Sequence, residues 1–247
     1  MMEAKTEDIE NGYENNGEEV VFKNLDFTEK SIRRGFIRKV YGILMVQLMI
    51  SLGFVSIFMY VEPVKQFVHE NGAPFVLAGA IIAIVTIIIL LCSTNARRRA
   101  PANIIFLGVF TLSFSFLLGV VCAASQKEEV YWALGICTIV TISLTIFAWQ
   151  TKIDFTMCHG TMFVLLMILV TVGIGSLFVP YDRTTQLIIA GFGAFVYSLL
   201  LIHDTQLIVG GKHKLVISPE EYVFAALSLY LDIISLFLRI LRIMRLA

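Results

Sequence analysis

Seven apolar runs, each about 20 residues long, restrict the fold of this chain more than any other feature. A helix must have about this length to cross the hydrocarbon core of a bilayer. Lipid cannot hydrogen-bond to an exposed backbone, so runs of this length predict transmembrane helices. The composition agrees, with 57% hydrophobic and 15% charged residues, against about 25% charged in soluble domains. The runs are residues 40–61, 74–93, 102–124, 131–149, 160–179, 185–209 and 219–241.

The runs predict an all-α integral membrane protein built as a bundle of seven transmembrane helices. The last run, 219–241, is apolar overall but carries Asp232 well inside it. Two arrangements of this run stay open: a full crossing, which we favour, and a re-entrant helix that returns to the cytosol. Helix ends are expected where proline and glycine punctuate the sequence, at Pro63, Pro74, Pro101, Pro180 and Gly210-Gly211.

Charge divides the chain into three parts. Residues 1–29 carry nine acidic and two basic side chains, which predicts a disordered acidic cytosolic tail. Residues 30–39 form a basic amphipathic segment suited to the lipid headgroup layer, and residues 40–247 form the membrane domain. Loops on the N-terminal side of the membrane carry eleven Lys and Arg residues, against three on the opposite side. This asymmetry predicts a cytosolic N-terminus.

The last run also has a start signal. In Ser218-Pro219-Glu220-Glu221, Ser218 is predicted to cap the helix, and Glu221 to complete a capping box with it. Proline suits the first helical position, where its missing N–H costs nothing.

Two carboxyl groups, Asp204 and Asp232, lie inside apolar runs. A charge at membrane depth costs at least about 2.5–3.5 kcal/mol, so such residues normally face the interior of the bundle. A hydrogen bond between helices is the simpler explanation, but two carboxyls on sequential helices favour a functional role. If they meet, they cannot both ionise cheaply, and a shared proton makes them a pH-sensitive latch. Since Asp232 lies about 20 Å along its helix from Ser218, we expect the last helix to project into the cytosol or to tilt.

Other charged residues are candidate partners of the pair. Arg97, Arg98 and Arg99 follow the second run on the cytosolic side and are candidate cations for it. His203 precedes Asp204 and is expected to modulate its titration, because no converging ligands accompany it for a metal site. Arg239 lies on nearly the same helix face as Asp232, but it is expected to extend to the membrane surface.

Five segments in order resemble the transmembrane Bax-inhibitor-motif (Lifeguard) family, closest to its glutamate-receptor-associated branch. The resemblance covers about residues 27–245, and only the acidic tail lies outside it. The segments are FIRKVYGILMVQLMIS at 36–51, CSTNARRRAPANIIFLGVFTLSF at 92–114, WQTKIDFTMCHG at 149–160, HDTQLIVGGKH at 203–213 and ISPEEYVFAALSLYLDIISLFLRIL at 217–241.

The resemblance implies a seven-helix bundle whose last helix is central and wrapped by the other six. It implies residence in endoplasmic reticulum or Golgi membranes, suppression of apoptosis, and a pH-sensitive calcium leak. By analogy, Asp204 and Asp232 form the latch and touch the passing calcium transiently, with Arg97 as the alternate partner. Calcium is then the permeating ion, and no bound cofactor is implied. The family usually has Tyr where this chain has His203.

The implied partners are membrane lipid, calcium, apoptosis regulators and calcium-release channels, and nothing indicates nucleic acid. One alternative is a survival factor that acts by protein contacts without conducting ions. An intramembrane aspartyl protease is a third possibility, since such enzymes also use two membrane aspartates. Their Tyr-Asp and Gly-x-Gly-Asp contexts are missing here, where His203-Asp204 and Tyr230-Leu231-Asp232 stand instead. We therefore expect no enzymatic activity.

Overall fold

The computed structural model describes residues 3–93, 98–175, 182–210 and 217–246, with side chains from Ser31 onward except that of His69. Within these residues, seven helices are long and apolar enough to cross a membrane, which confirms the all-α class. The helices are α1 (Glu3–Tyr60), α2 (Glu62–Cys92), α3 (Ala102–Ala123), α4 (Lys127–Gln150), α5 (His159–Gly175), α6 (Arg183–Val209) and α7 (Tyr222–Leu246), with 3₁₀ turns at Phe155–Cys158 and Pro219–Glu221.

The predicted tail, residues 1–29, lies outside the residues whose side chains are described, so its disorder stays a prediction. The membrane-crossing part of α1 is Ser31–Tyr60. Its basic beginning contacts the start of the last helix. Arg33 donates to the carbonyl of Ile217 at 2.8 Å, and the Lys39 ammonium lies 4.3 Å from the centre of the Tyr222 ring.

Helix α7 is the central helix of the bundle. In the most apolar stretch of this span, 67% of the residues are buried inside the protein, whereas the corresponding share is at most 33% in each of the other six spans. It packs against α1, α3, α4 and α6, whereas α2 packs mainly on α3 and α5 on α6. The central position implied by the resemblance is confirmed. The last helix is wrapped mainly by four helices rather than six, because α2 and α5 form an outer layer.

Helix α7 runs antiparallel to α6 over the whole length of that helix. At one end, the Ile217 N–H donates to the Leu207 carbonyl at 3.0 Å. At the other end, Arg242 donates to Gln186 Oε1 at 3.0 Å. The last helix therefore runs the whole length of its neighbour, which favours a full crossing over the re-entrant alternative. We call the end where α6 stops and α7 begins the near face, and the opposite end the far face.

Two local expectations about helix ends are wrong. Pro74 lies inside α2 rather than at its end, because stopping a helix in lipid would expose several backbone groups, whereas continuing past proline loses only one hydrogen bond. The Ser218 side chain makes no capping hydrogen bond. The Glu221 N–H instead donates to the Ser218 carbonyl at 2.9 Å. The Glu221 carboxylate binds Arg98.

The other predicted breakers fit where the structure describes them. Pro63 lies in the first turn of α2, Pro101 directly precedes α3, and Gly210 ends α6 with φ of +66°. Pro180 and Gly211 lie outside the described residues.

A buried hydroxyl cluster joins α1, α3 and α7. Ser51 Oγ lies 2.7 Å from the Tyr230 hydroxyl and 2.8 Å from Ser115 Oγ. One turn away, Gln47 donates to Thr111 Oγ1 at 2.9 Å. In lipid the hydrophobic effect does not hold helices together, so such polar contacts help to fix which helix faces meet.

Replacing Tyr230 by Phe removes the hydroxyl that links α7 to this cluster. We expect a loss of about 1 kcal/mol in the free energy of unfolding, the size measured for hydrogen bonds between membrane helices. Unfolding of the purified protein in mixed micelles measures it. Tyr131→Phe is the control, because Tyr131 is 49% exposed. Equal effects of the two substitutions would contradict a role for the cluster.

Candidate functional site

The two membrane aspartates meet between α6 and α7. The Asp232 side chain is almost fully buried, and its Oδ2 atom has no hydrogen-bond donor among the described residues. The Asp204 side chain is 18% exposed. The two carboxyls lie within side-chain hydrogen-bond contact and act on one another by charge. A hydrogen bond between two carboxyls needs a proton, so the predicted latch requires one proton between Asp204 and Asp232.

Helix geometry explains how the pair meets. Gly193 of α6 lies against the Arg239 side chain of α7, and this register puts Asp232 about 6 Å nearer the far face than Asp204. Helical side chains lean toward the N-terminus of their own helix. Because α6 and α7 are antiparallel, the two side chains lean toward each other and close the gap. The last helix does not need to project beyond α6, contrary to our expectation.

A pair of histidines extends the site to the near face. His203 is 2% exposed, and its Nδ1 lies 2.8 Å from Asp204 Oδ1. Its Nε2 lies 3.3 Å from Nδ1 of His159, the exposed first residue of α5. Polar contacts therefore run from the exposed His159 to the buried Asp232.

His159 was missed by the sequence analysis, because it lies 44 residues before His203. The sequence contained one relevant signal. His159 is at a helix end and His203 is near one, and the predicted topology puts both ends on the same side of the membrane. That signal is weak, since it applies to every residue of the near-face loops.

Of the predicted arginine partners that follow the second run, the structure describes only Arg98 and Arg99, and neither is among the described contacts of the pair. Arg97 lies outside the described residues, and Arg99 is exposed. Arg98 binds Glu221 at 2.8 Å and Glu220 at 3.7 Å, and Glu221 raises the pKa of its guanidinium. Glu221 lies about 16 Å along the last helix from Asp232, so Arg98 fastens the start of that helix.

Arg239, another predicted partner of the pair, contacts a neutral ring of α6. Its guanidinium carbon lies 6.0 Å from the centre of the Tyr197 ring. The extension of its side chain to the membrane surface stays a prediction.

Several buried oxygen atoms of the helix bundle have no hydrogen-bond partner among the described residues. Four buried side-chain oxygens of α1, α6 and α7 have no hydrogen-bond partner among the described residues, and they belong to Tyr41, Gln47, Thr205 and Asp232. Buried polar atoms are normally satisfied, so this interface is suited to internal water or to a hard cation that prefers oxygen. The described residues contain no group of three or more His, Cys, Asp or Glu placed to hold a metal. The arrangement fits transient contact rather than tight binding.

Comparison with known proteins covers this whole region. The family described as "Inhibitor of apoptosis-promoting Bax1" matches residues 33–247. The chain is 40% identical to Protein lifeguard 3 of Homo sapiens over 222 residues, which is 89% of this chain and 71% of that protein. It is 38% identical to Protein lifeguard 3 of Mus musculus over 225 residues, 90% of this chain and 72% of that protein. It is 35% identical to the Golgi anti-apoptotic protein of Vaccinia virus (strain Lister) over 213 residues, 86% of each chain.

The shared proton predicts how stability depends on pH. In the wild-type protein, alkaline pH removes the proton and leaves two anions that repel each other, so the melting temperature is expected to fall. Asp232→Asn supplies a permanent donor to Asp204, so its melting temperature is expected to change less between neutral and alkaline pH. Thermal unfolding in detergent over that range measures the difference. The control is Glu128→Gln, the same change at an exposed site, and parallel pH profiles for all three proteins would contradict the shared proton.

Proposed function

The chain belongs to the family of inhibitors of apoptosis-promoting Bax1, and from this we propose that it is an anti-apoptotic membrane protein that leaks calcium from intracellular stores. The membranes are those of the endoplasmic reticulum or Golgi, and the name of the viral relative supports the Golgi. A lower calcium content in the store leaves less calcium to be released when the cell receives an apoptotic signal. The observation that carries the leak is the buried Asp204–Asp232 pair between the central helix and its antiparallel neighbour.

The pair acts as a latch through the number of protons it holds. With one proton, the carboxyls share a hydrogen bond to a charged acceptor, which is roughly twice as strong as a neutral one. With none, the two charges repel, and with two, only a neutral hydrogen bond remains. A change of pH in either direction therefore weakens the link between α6 and α7.

The oxygen atoms beside the latch support a path for cations. Tyr41 and Gln47 belong to α1, and Thr205, next to Asp204 in the chain, belongs to α6. Each has a buried oxygen without a hydrogen-bond partner in the described part of the chain. Calcium takes oxygen ligands in flexible geometry, and conduction needs several weak sites rather than one tight site. Asp204 and Asp232 provide the negative charge, in transient contact with the ion.

The alternative is an anti-apoptotic protein that conducts nothing and acts by protein contacts. The name of the viral relative states an anti-apoptotic action and does not mention calcium. The partners would be apoptosis regulators or calcium-release channels. The near face supports this alternative, because Arg34 and Arg38 of the basic segment are exposed there.

Removing the titratable pair should change calcium flux. In calcium-loaded liposomes, Asp204→Asn and Asp232→Asn are expected to flatten the pH dependence of calcium release, because neither variant can change the proton count of a carboxyl pair. Glu128→Gln, at an exposed site on the far face, is expected to keep the wild-type profile. Unchanged flux and pH profile in both aspartate variants would show the mechanism to be wrong.

Cell survival separates the leak from the alternative. If the leak protects, Asp232→Asn is expected to lose protection against calcium-dependent death while its abundance and location stay normal. A variant with Arg34→Gln and Arg38→Gln is expected to keep protection. The reverse pattern would favour protein contacts and contradict the leak.

A further inference from the structure

Three arginines of the last helix line one cavity at the far face. The cavity has a volume of about 380 Å³ and is bordered by Arg239, Arg242 and Arg245, together with Tyr197 and Ser235. It lies between the last turns of α3 and α7 and the middle of α6, where Tyr197 stands. Its arginines are on the far-face side of Asp232, whereas His159 is at the near face.

These guanidiniums carry positive charge that the described residues do not neutralise. Arg242 donates to the neutral Gln186 at 3.0 Å, and Arg239 faces the Tyr197 ring. None of the three arginines forms an ion pair with an acidic side chain in the described part of the chain.

The acid nearest in sequence to this end of α6 is Asp182, and it is already engaged. Its carboxylate accepts from the Thr184 and Thr185 N–H groups and from the Thr185 hydroxyl. These bonds hold the pKa of Asp182 below its usual value. It therefore stays charged, and its oxygens cap α6 rather than turning to the arginines.

Ordinary membrane physics explains only part of this cluster. A basic side chain at the C-terminus of a helix is favoured by the helix dipole, and arginine often extends to the membrane surface. Three arginines around one cavity have a large unneutralised charge, however. With the N-terminus in the cytosol, this face is also the one where the positive-inside rule disfavours them.

The backbone is shaped to admit one of these side chains. A Cβ added to Gly193 would lie 2.9 Å from Cδ and 3.0 Å from Nε of Arg239. Glycine at this position lets the Arg239 side chain run along α6 toward the cavity. The guanidinium is thereby held in place rather than free to move in the headgroup layer.

We propose that this cavity binds a phosphate group, such as that of an anionic lipid headgroup in the far leaflet. Guanidinium groups match phosphate with paired, charge-assisted hydrogen bonds, and the Tyr197 and Ser235 hydroxyls supply further donors. The site goes beyond the calcium leak, because Arg239 is about 10 Å along the helix from Asp232. A soluble phosphate has the same chemistry, so the test must separate the two sources.

Binding is measured on the full chain in micelles of a maltoside detergent, which contains no phosphate. One arm adds short-chain phosphatidic acid, a second adds sodium phosphate, and a third adds the uncharged diacylglycerol, with the melting temperature and the apparent affinity as readouts. We expect phosphatidic acid to raise the melting temperature and diacylglycerol to leave it unchanged. An effect of sodium phosphate as well would identify free phosphate as a ligand, and no effect of either phosphate compound would overturn the proposal.

Substitutions then locate the site. Each arginine replaced by glutamine is expected to weaken phosphatidic acid binding about tenfold, because a charge-assisted hydrogen bond to the phosphate is lost. The variants are Arg239→Gln with Arg242→Gln, and Arg245→Gln alone, whose exposed position makes it tolerable if the double variant does not fold. The control, Arg34→Gln with Arg38→Gln, removes two near-face charges and is expected to keep the affinity. Wild-type affinity in Arg245→Gln, or an equal loss in the control, would overturn the proposal.

Discussion

The structure depends on the burial of one carboxyl group, that of Asp232, in the helix that every inner helix contacts. Its buried side chain has an oxygen without a donor, and an isolated anion there would be very costly. The cost falls when the neighbouring Asp204 and one proton share the charge. In the proposed latch, the contact between α6 and α7 is therefore tied to a proton count, which apolar packing alone would not do.

The rest of the core is arranged around that central helix. Apolar packing in lipid does not by itself choose between helix faces, so specific polar contacts do. The Tyr230 hydroxyl links α7 to Ser51 and Ser115 on one side, while Asp232 faces α6 on another. Where such contacts are complete they hold helices in place, and where oxygens stay unpaired they leave room for water or ions.

The two ends of the bundle carry charge in different ways. At the near face, Arg98 is neutralised by Glu221 and Glu220, and Arg33 binds the Ile217 carbonyl, so charges there fasten the start of α7. At the far face, the arginines around the cavity face neutral side chains. This contrast separates charges that support the fold from charges that remain available to a ligand.

The sequence by itself determined the class of fold, the seven candidate spans and the two residues of interest, and it left open whether the last span crosses fully. Apolar runs of span length allow few structures in lipid, and Asp204 and Asp232 stand out because charge is rare at that depth. Only the tertiary structure decided that α7 packs mainly against four helices, that Arg98 binds Glu221, and that His159 contacts His203. These contacts depend on which helix faces meet, and that depends on side chains that are distant in sequence. Apolar residues that face lipid and apolar residues that face the protein interior cannot be distinguished along the chain.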